Sequence, residues 1–321
     1  MADKYNGVIN VYKEPGFTSH DVVAKLRGIT HQKKIGHTGT LDPDAEGVLC
    51  ICFGAATHVC DMLTDRSKEY EAVMLLGVKT DTQDTSGIVI SEAEVKVSDK
   101  QIRECVSGFV GDIMQIPPMY SALKVGGKKL YELAREGKEI ERKPRQITIS
   151  NIEIISIDLP RVTMRVSCSK GTYIRTLCND IGESLGCGAA MEHLIRTRVG
   201  EFEIEKSLRL DEINEYQKKD RLSDILISPF NIFDDLPCLI PNEIGTKRAQ
   251  NGNVLRINEV SLKNHNMKDS NGNNHNMIDS TIDGLHNEDQ VRVVSDEGFF
   301  YGVYEYRQEE RLFHPVKMFL C

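Results

Sequence analysis

Gly36-His37-Thr38-Gly39-Thr40-Leu41-Asp42-Pro43-Asp44-Ala45-Glu46-Gly47-Val48-Leu49 is the segment on which the reading of this chain turns. Its glycines permit tight turns and close approach of backbone to a ligand. Thr and His supply side-chain donors. Asp42 stands between Leu41 and Pro43, and the proline ring fixes its own φ while restricting Asp42 to extended conformations. A stiff frame therefore aims one carboxylate. An Asp-Pro turn that merely starts a helix has the same local sequence, and the segment taken alone does not separate the two.

Around this loop the pattern alternates between strand and helix without a regular βαβ rhythm. Val8 to Lys13 reads as a strand closed by the turn Glu14-Pro15-Gly16. Ser19 is placed to cap a helix with Val22, Val23 and Leu26 on one face. Leu49 to Phe53 reads as a short buried strand or a helix start, and Tyr70 to Leu76 as a second strand. Ser98-x-x-Gln101 is a capping box that opens a helix through Ile102, Cys105 and Val106. Val162, Met164, Val166 and Cys168 alternate as in a half-buried strand, and a helix runs from about Tyr173 to Leu185, stopped by Gly186. The fold class expected is α+β with a mixed, mostly antiparallel central sheet. Composition shifts after Leu236. Val291 to Val294 and Phe299 to Tyr304 read as a hairpin, so a large domain over 1–236 and a small β-rich domain over 237–321 are expected. An Asn-rich insert at about 263–287, with a near-repeat around His265 and His275, is too polar for a core and reads as a mobile loop.

Composition narrows the classes of function. In 321 residues, 40% are hydrophobic and 27% charged, ordinary values for a globular chain. No run approaches the ~18–20 apolar residues of a membrane span. The start is too polar for a signal peptide, so the expected compartment is cytoplasmic, with no membrane partner. The nine cysteines are odd in number and sit in apolar runs, which fits buried reduced thiols. Cys50 and Cys52 lack a second pair at zinc-ligand spacing, so no metal is expected. A net charge of −8 argues against indiscriminate polyanion binding but leaves room for a local basic patch. From Lys124 to Arg145 there are eight Lys/Arg against four Glu, which as a bare charge run reads as a solvated helix face.

The central segment resembles the signature of the bacterial tRNA pseudouridine-55 synthases, the TruB family, in which the catalytic aspartate sits in G-H-x-G-x-L-D-P. Four further blocks agree in order: Gly7 to Ser19, Lys68-Glu69-Tyr70 with Gly77 to Asp84, Gln115 to Lys124 with Gly127 and Tyr131, and Cys168 to Leu177. The likeness is dense over 5–205. The resemblance implies a base-flipping isomerase with Asp42 as catalytic carboxylate, Arg175 as its ion-pair partner and Tyr70 stacked on the uracil. It also implies Tyr173 and Leu194 around the site and His37 against the displaced base. Lys13, Lys124, Lys128 and Lys129 are expected to meet phosphates, which position RNA without specifying sequence. The implied partner is the T-arm of tRNA. A monomer is the default expectation, and the missing long basic tails of guide-RNA-dependent relatives favour action without an obligate protein partner. No cofactor is expected, because the isomerisation is redox-neutral.

Two positions depart from the family. Asp44 and Glu46 stand where it more often carries an apolar residue and Thr, and their charge is expected to raise the Asp42 pKa by repulsion. A uridine methyltransferase would need a donor-binding fingerprint, and Gly186-Cys187-Gly188 is a weak one. A non-catalytic RNA-binding module is disfavoured by Asp42, Tyr70 and Arg175 together. Arg209-Leu210-Asp211 resembles the motif of another synthase family, but without its surroundings it reads as chance. The C-terminal domain resembles a PUA-like RNA-binding module.

Overall fold

The computed structural model describes residues 4–263, 267–268, 274–275 and 282–319. The Asn-rich stretch falls largely outside the described residues, as do the side chains of His265 and His275. Nine described strands form the central sheet: β1 (Gly7–Lys13), β2 (Ile35–His37), β3 (Glu46–Phe53), β4 (Lys68–Leu76), β5 (Gly111–Gln115), β6 (Arg145–Asp158), β7 (Arg161–Cys168), β8 (Ala189–Val199) and β9 (Phe202–Glu203). Their order is β1-β3-β8-β4-β7-β6-β5, with β2 added to β3 and β9 to β8. All these pairings are antiparallel except β3 with β8, where Ile195 and Arg196 lie parallel to Glu46 and Gly47. The sheet is thus mixed and mostly antiparallel.

Side-chain alternation explains how the sheet is covered. On β4 the residues 68, 70, 72, 74 and 76 are buried and those between are partly exposed. Val162, Met164, Val166 and Cys168 do the same on β7. These two rows share a core with Ile174, Leu177, Cys178 and Ile181 of the helix after β7. Strand β3 is buried on both faces: Val48, Cys50 and Cys52 enter one cluster, while Leu49, Ile51 and Phe53 enter another. A strand covered on both sides reads as a continuous apolar run, which is why its sequence was ambiguous between strand and helix.

The helices follow their caps. α1 (Ser19–Thr30) is capped by Thr18 rather than Ser19, with Asp21 closing the capping box. Ser19 is thereby freed, and its Oγ accepts the Leu41 N–H at 3.0 Å. α2 (Asp99–Ser107) carries the Ser98/Gln101 box and buries Ile102 and Val106. α3 (Leu130–Arg135) follows a two-strand ribbon, 124–125 with 128–129. The basic run is therefore a hairpin, one short helix and an extended arm, not a single helix face. α4 (Ile174–Ser184) lies on the core side of β8 and β4. α5 (Leu210–Lys218) begins at Arg209-Leu210-Asp211, where Leu210 is buried and Asp211 is exposed in the first turn.

After residue 237 a second, PUA-like sheet forms from β10 (Cys238–Pro241), β11 (Leu255–Arg256), β12 (Val260–Leu262), β13 (Gln290–Val294), β14 (Phe300–Arg307) and β15 (Leu312–Met318). Its order is β11-β15-β14-β13-β10-β12. Val294, Phe300, Val303 and Phe319 share one hydrophobic cluster with Val48, Cys50 and Cys52 of β3. Phe300 and Phe319 stack at 4.8 Å inside it.

Candidate active site

The loop between His37 and Glu46 is fixed from three sides. Leu41 and Ala45 plunge into the main core. The Leu41 N–H is held by Ser19, and the Pro43 carbonyl accepts the Gly16 N–H at 2.9 Å. Lys13 completes the brace. Its ammonium donates to Glu14 O at 3.2 Å, Pro43 O at 2.9 Å and Ala45 O at 2.5 Å. This lysine is wholly buried, and burial lowers its pKa to about 8. It is a tie inside the loop, so the expectation that Lys13 meets an RNA phosphate is corrected. Three inward carbonyls capture the ammonium, where a strand-end lysine normally reaches solvent.

Asp42 emerges from this frame toward Arg175, the second residue of α4. Oδ2 lies 2.9 Å from Nε, and Oδ1 accepts from Nη2 at 3.3 Å. The arginine side chain is 7% exposed and that of Asp42 40%, so the cation is sunk and the carboxylate faces open space. Arg175 also donates from Nη1 to Thr82 O at 3.0 Å and to Asp84 Oδ2 at 3.3 Å, and from Nη2 to Tyr120 O at 2.7 Å. Asp84 Oδ1 in turn accepts from the hydroxyls of Thr82 (2.7 Å) and Ser86 (2.6 Å). One guanidinium thus serves two carboxylates. Burial raises the Asp42 pKa, Arg175 and Lys13 oppose the rise, and Asp84 adds to it. Asp44 and Glu46 are not among the largest influences on it. Glu46 is occupied with the Tyr12 hydroxyl and with His193 at 3.0 Å.

Asp42 opens into a cavity of about 330 Å³. Tyr70, Tyr173, Arg175 and Leu194 line it with Asp42, so five expected residues from four separate segments meet there. Tyr173 is set by a reciprocal clamp: its N–H donates to Gln115 Oε1 at 2.9 Å, and Gln115 Nε2 donates to its carbonyl at 3.0 Å. Tyr70 is buried, and desolvation raises its phenol pKa against the opposing pull of Arg196. Lys68 and Arg196 also line the wall. Burial lowers Lys68 to about 8.

His37 stands behind the cavity wall. It meets His20 edge-on at 5.2 Å, its Nδ1 faces the Gly39 N–H at 3.4 Å, and burial lowers its pKa. Lys124 and Lys128 are exposed on the hairpin that continues from Leu123, a lining residue. Lys128 pairs with Glu136 at 3.2 Å, and the Lys129 ammonium lies over the Tyr131 ring at 5.3 Å. Sequence reasoning missed Asp84, Lys68 and Arg196. Asp84 and Lys68 lay within quoted blocks without a role. Arg196 carried one signal, a charged residue two positions after Leu194 on the same strand. Among the described residues no group of three or more His, Cys, Asp and Glu is placed to hold a metal ion, and no helix is long and apolar enough to cross a membrane.

Comparison with solved structures places this architecture. The chain is similar to one in the structure of an H/ACA RNP bound to a substrate RNA containing 2′-deoxyuridine, at 25% identity and a TM-score of 0.71, covering 98% of this chain and 85% of that one. It is also similar to one in the archaeal box H/ACA sRNP Nop10-Cbf5 complex, at 26% identity and a TM-score of 0.70, covering 98% and 86%. The mixed sheet with the Asp–Arg pair at its cavity is the fold of a pseudouridine synthase. Residues 27–174 match the N-terminal domain of the TruB family pseudouridylate synthases, and 175–231 match the tRNA pseudouridylate synthase B C-terminal domain. Among curated relatives, the tRNA pseudouridine synthase B of Lachnoclostridium phytofermentans is 49% identical, covering 98% of this chain and all of that one. That of Clostridium novyi is 54% identical over 70% of this chain and 76% of its own length. The chain belongs to the TruB family.

Proposed function

We propose that this protein isomerises uridine 55 in the T-loop of tRNA to pseudouridine, with Asp42 as the catalytic carboxylate. The supporting observation is the two-point contact of Asp42 with Arg175 at the mouth of a cavity shared with Tyr70, Tyr173 and Leu194. The relatives named tRNA pseudouridine synthase B supply the substrate class.

The target base leaves its stack at a cost of a few kcal/mol, less in a loop than in a duplex. His37 contacts or replaces it from the loop side. Tyr70, Tyr173 and Leu194 hold the uracil, and Asp42 acts on the nucleotide while Arg175 keeps its carboxylate ionised and aimed. The N1–C1′ bond gives way to a C5–C1′ bond, and the Tyr70 hydroxyl assists loss of the C5 proton. Lys124, Lys128 and Lys129 track phosphates of the T-arm. The catalytic domain spans 1–236 and the RNA-binding domain 237–321. The enzyme works in the cytoplasm as a monomer, without cofactor or protein partner.

Mapping pseudouridine in tRNA from cells lacking this protein tests the assignment. Loss at the T-loop uridine alone is expected, and an unchanged T-loop defeats it.

A further inference from the structure

Lys68 and Arg196 differ from the other charged groups of the cavity wall in having no counter-charge. Arg175 is matched by Asp42 and Asp84, and Lys170 by Asp65. Arg196 is 2% exposed and Lys68 6%, yet among the described residues neither has a carboxylate oxygen within 4.0 Å. Main-chain oxygens hold them instead. Arg196 donates from Nε to Val48 O at 2.7 Å and from Nη2 to Gly39 O at 3.3 Å. Lys68 donates to Arg66 O at 2.6 Å and to Thr64 O. Carbonyl dipoles orient a cation without cancelling its charge. Arg196 also hydrogen-bonds the Tyr70 side chain, which ties the cation to the cavity's aromatic wall.

Strand geometry puts both cations around one side chain. Lys68 and Tyr70 are two apart on the buried face of β4, and Arg196 lies opposite Tyr70 on β8. A buried charge without a partner is unfavourable in the empty protein. Fixed charges of this kind become useful where negative charge develops during a reaction, because they need no reorganisation at that moment.

We propose that Lys68 and Arg196 form an anion-stabilising wall for the uracil while it is detached from its ribose. This rests on the isomerisation reading above. When N1–C1′ breaks, both electrons leave with N1, and the charge spreads over N1, O2 and O4 of the ring. When C5 closes on C1′, a ring electron pair forms the new bond. The C5 hydrogen then leaves as a proton and N1 takes one up, so atoms and charge balance. The wall stabilises the interval between the two events, whatever Asp42 does to the ribose.

Lys68 also sets an alkaline limit. Its surroundings are Arg196 from β8, Cys168 from β7, Cys50 from β3 and Asp65 from the end of the short helix Cys60–Asp65 before β4. Burial holds Cys50 up to about 12 and Cys168 up to about 11, so both thiols stay neutral while Lys68 titrates near 8. Asp65 is engaged by Lys170 at 2.8 Å.

The test measures single-turnover N1–C1′ cleavage in full-length tRNA carrying uridine or 5-fluorouridine at the target position. Fluorine withdraws electron density, so the fluorinated base stabilises its own anion. Arg196→Met and Lys68→Met are expected to lose about 100-fold on uridine and roughly tenfold or less on 5-fluorouridine. Their affinity for tRNA is expected to stay within about twofold, since the lost contact forms only during reaction. Equal losses on both substrates, or a loss confined to affinity, overturn the proposal. Where a methionine variant does not fold, Lys68→Arg decides: wild-type cleavage falls above about pH 8, and this variant shifts that fall upward by more than one unit if the wall acts as described. An unmoved limb overturns it. A wild type that does not isomerise the tRNA defeats the functional assignment instead, and that control is read first.

Discussion

Asp42 and Arg175 are joined at two points, 2.9 and 3.3 Å apart, yet the Asp42 pKa still lies above the ordinary carboxylate value. Arg175 is divided between Asp42 and Asp84, so desolvation of Asp42 is only partly offset. The charged form of the carboxylate therefore carries a cost to the fold, a common property of groups built for chemistry.

Asp42→Asn removes the charge and keeps the shape. Turnover is expected to vanish while tRNA affinity is kept. The raised folded pKa means the native state binds the proton more tightly than the unfolded chain, so this group's contribution to stability declines as pH rises from near 4 through the folded pKa. At neutral pH the asparagine variant should therefore melt higher than wild type. Calorimetry checks it, and a lower midpoint contradicts the reading.

Asp84→Asn leaves Arg175 with one full counter-charge and weakens its second tether. The guanidinium is then free to drift, and a displacement of about 1 Å at such a site costs up to roughly 100-fold in rate. A fall in kcat of roughly 10–100-fold is expected with KM little changed. Steady-state kinetics on tRNA transcripts decides, and a pure KM effect counts against the positioning role.

Lys13→Met tests the brace. Three carbonyls lose their donor, so a destabilisation of roughly 2–4 kcal/mol is expected, without change in RNA affinity per folded molecule. Lys13 has a folded pKa of about 8, below that of a free lysine. The unfolded chain binds that proton more tightly, so this residue makes stability rise with pH between about 8 and 10.4. Denaturant midpoints across that window should show a shallower rise in the variant.

Lys124→Ala and Lys128→Ala address the hairpin. Each should weaken tRNA binding and lower the slope of log K against log salt by about 1, leaving single-turnover rate at saturation unchanged. A salt titration by filter binding separates this from a folding defect.

Gly47→Ala probes the parallel seam. Gly47 has φ +102°, and a methyl there would lie 2.3 Å from the Arg196 carbonyl oxygen. Backbone cannot give way as a side-chain tip can. The variant is expected to be largely insoluble or inactive, and soluble wild-type-like protein would mean the β3–β8 contact is looser than described.

Much of this arrangement was legible in the chain. Alternation on β7 and the caps of α2 gave those elements, and local glycine and proline chemistry marked the Asp42 loop. The meeting of Asp42, Tyr70, Tyr173, Arg175 and Leu194 was reachable only through family likeness. Contacts spanning 133 residues, as between Asp42 and Arg175, leave no local pattern. Lys13 misled because lysine normally reaches water, and only the folded loop shows the three carbonyls awaiting it. Thr18 and Ser19 are both good caps, and the choice fell to Thr18 because Leu41 needed an acceptor from its neighbour. The second carboxylate at Arg175 was invisible for a related reason: Asp84 sits in a turn-rich block whose residues equally suit a plain surface loop.

The cluster that joins Phe300 and Phe319 to the back of β3 has a consequence for how this protein can be cut. A truncation before Cys238 would strip an oily surface bare on the very strand that follows the Asp42 loop. The C-terminal module is thus no detachable handle. Proteolysis, gene fission or exchange with a foreign RNA-binding unit would have to re-cover that strand before the remaining portion stayed dispersed in water.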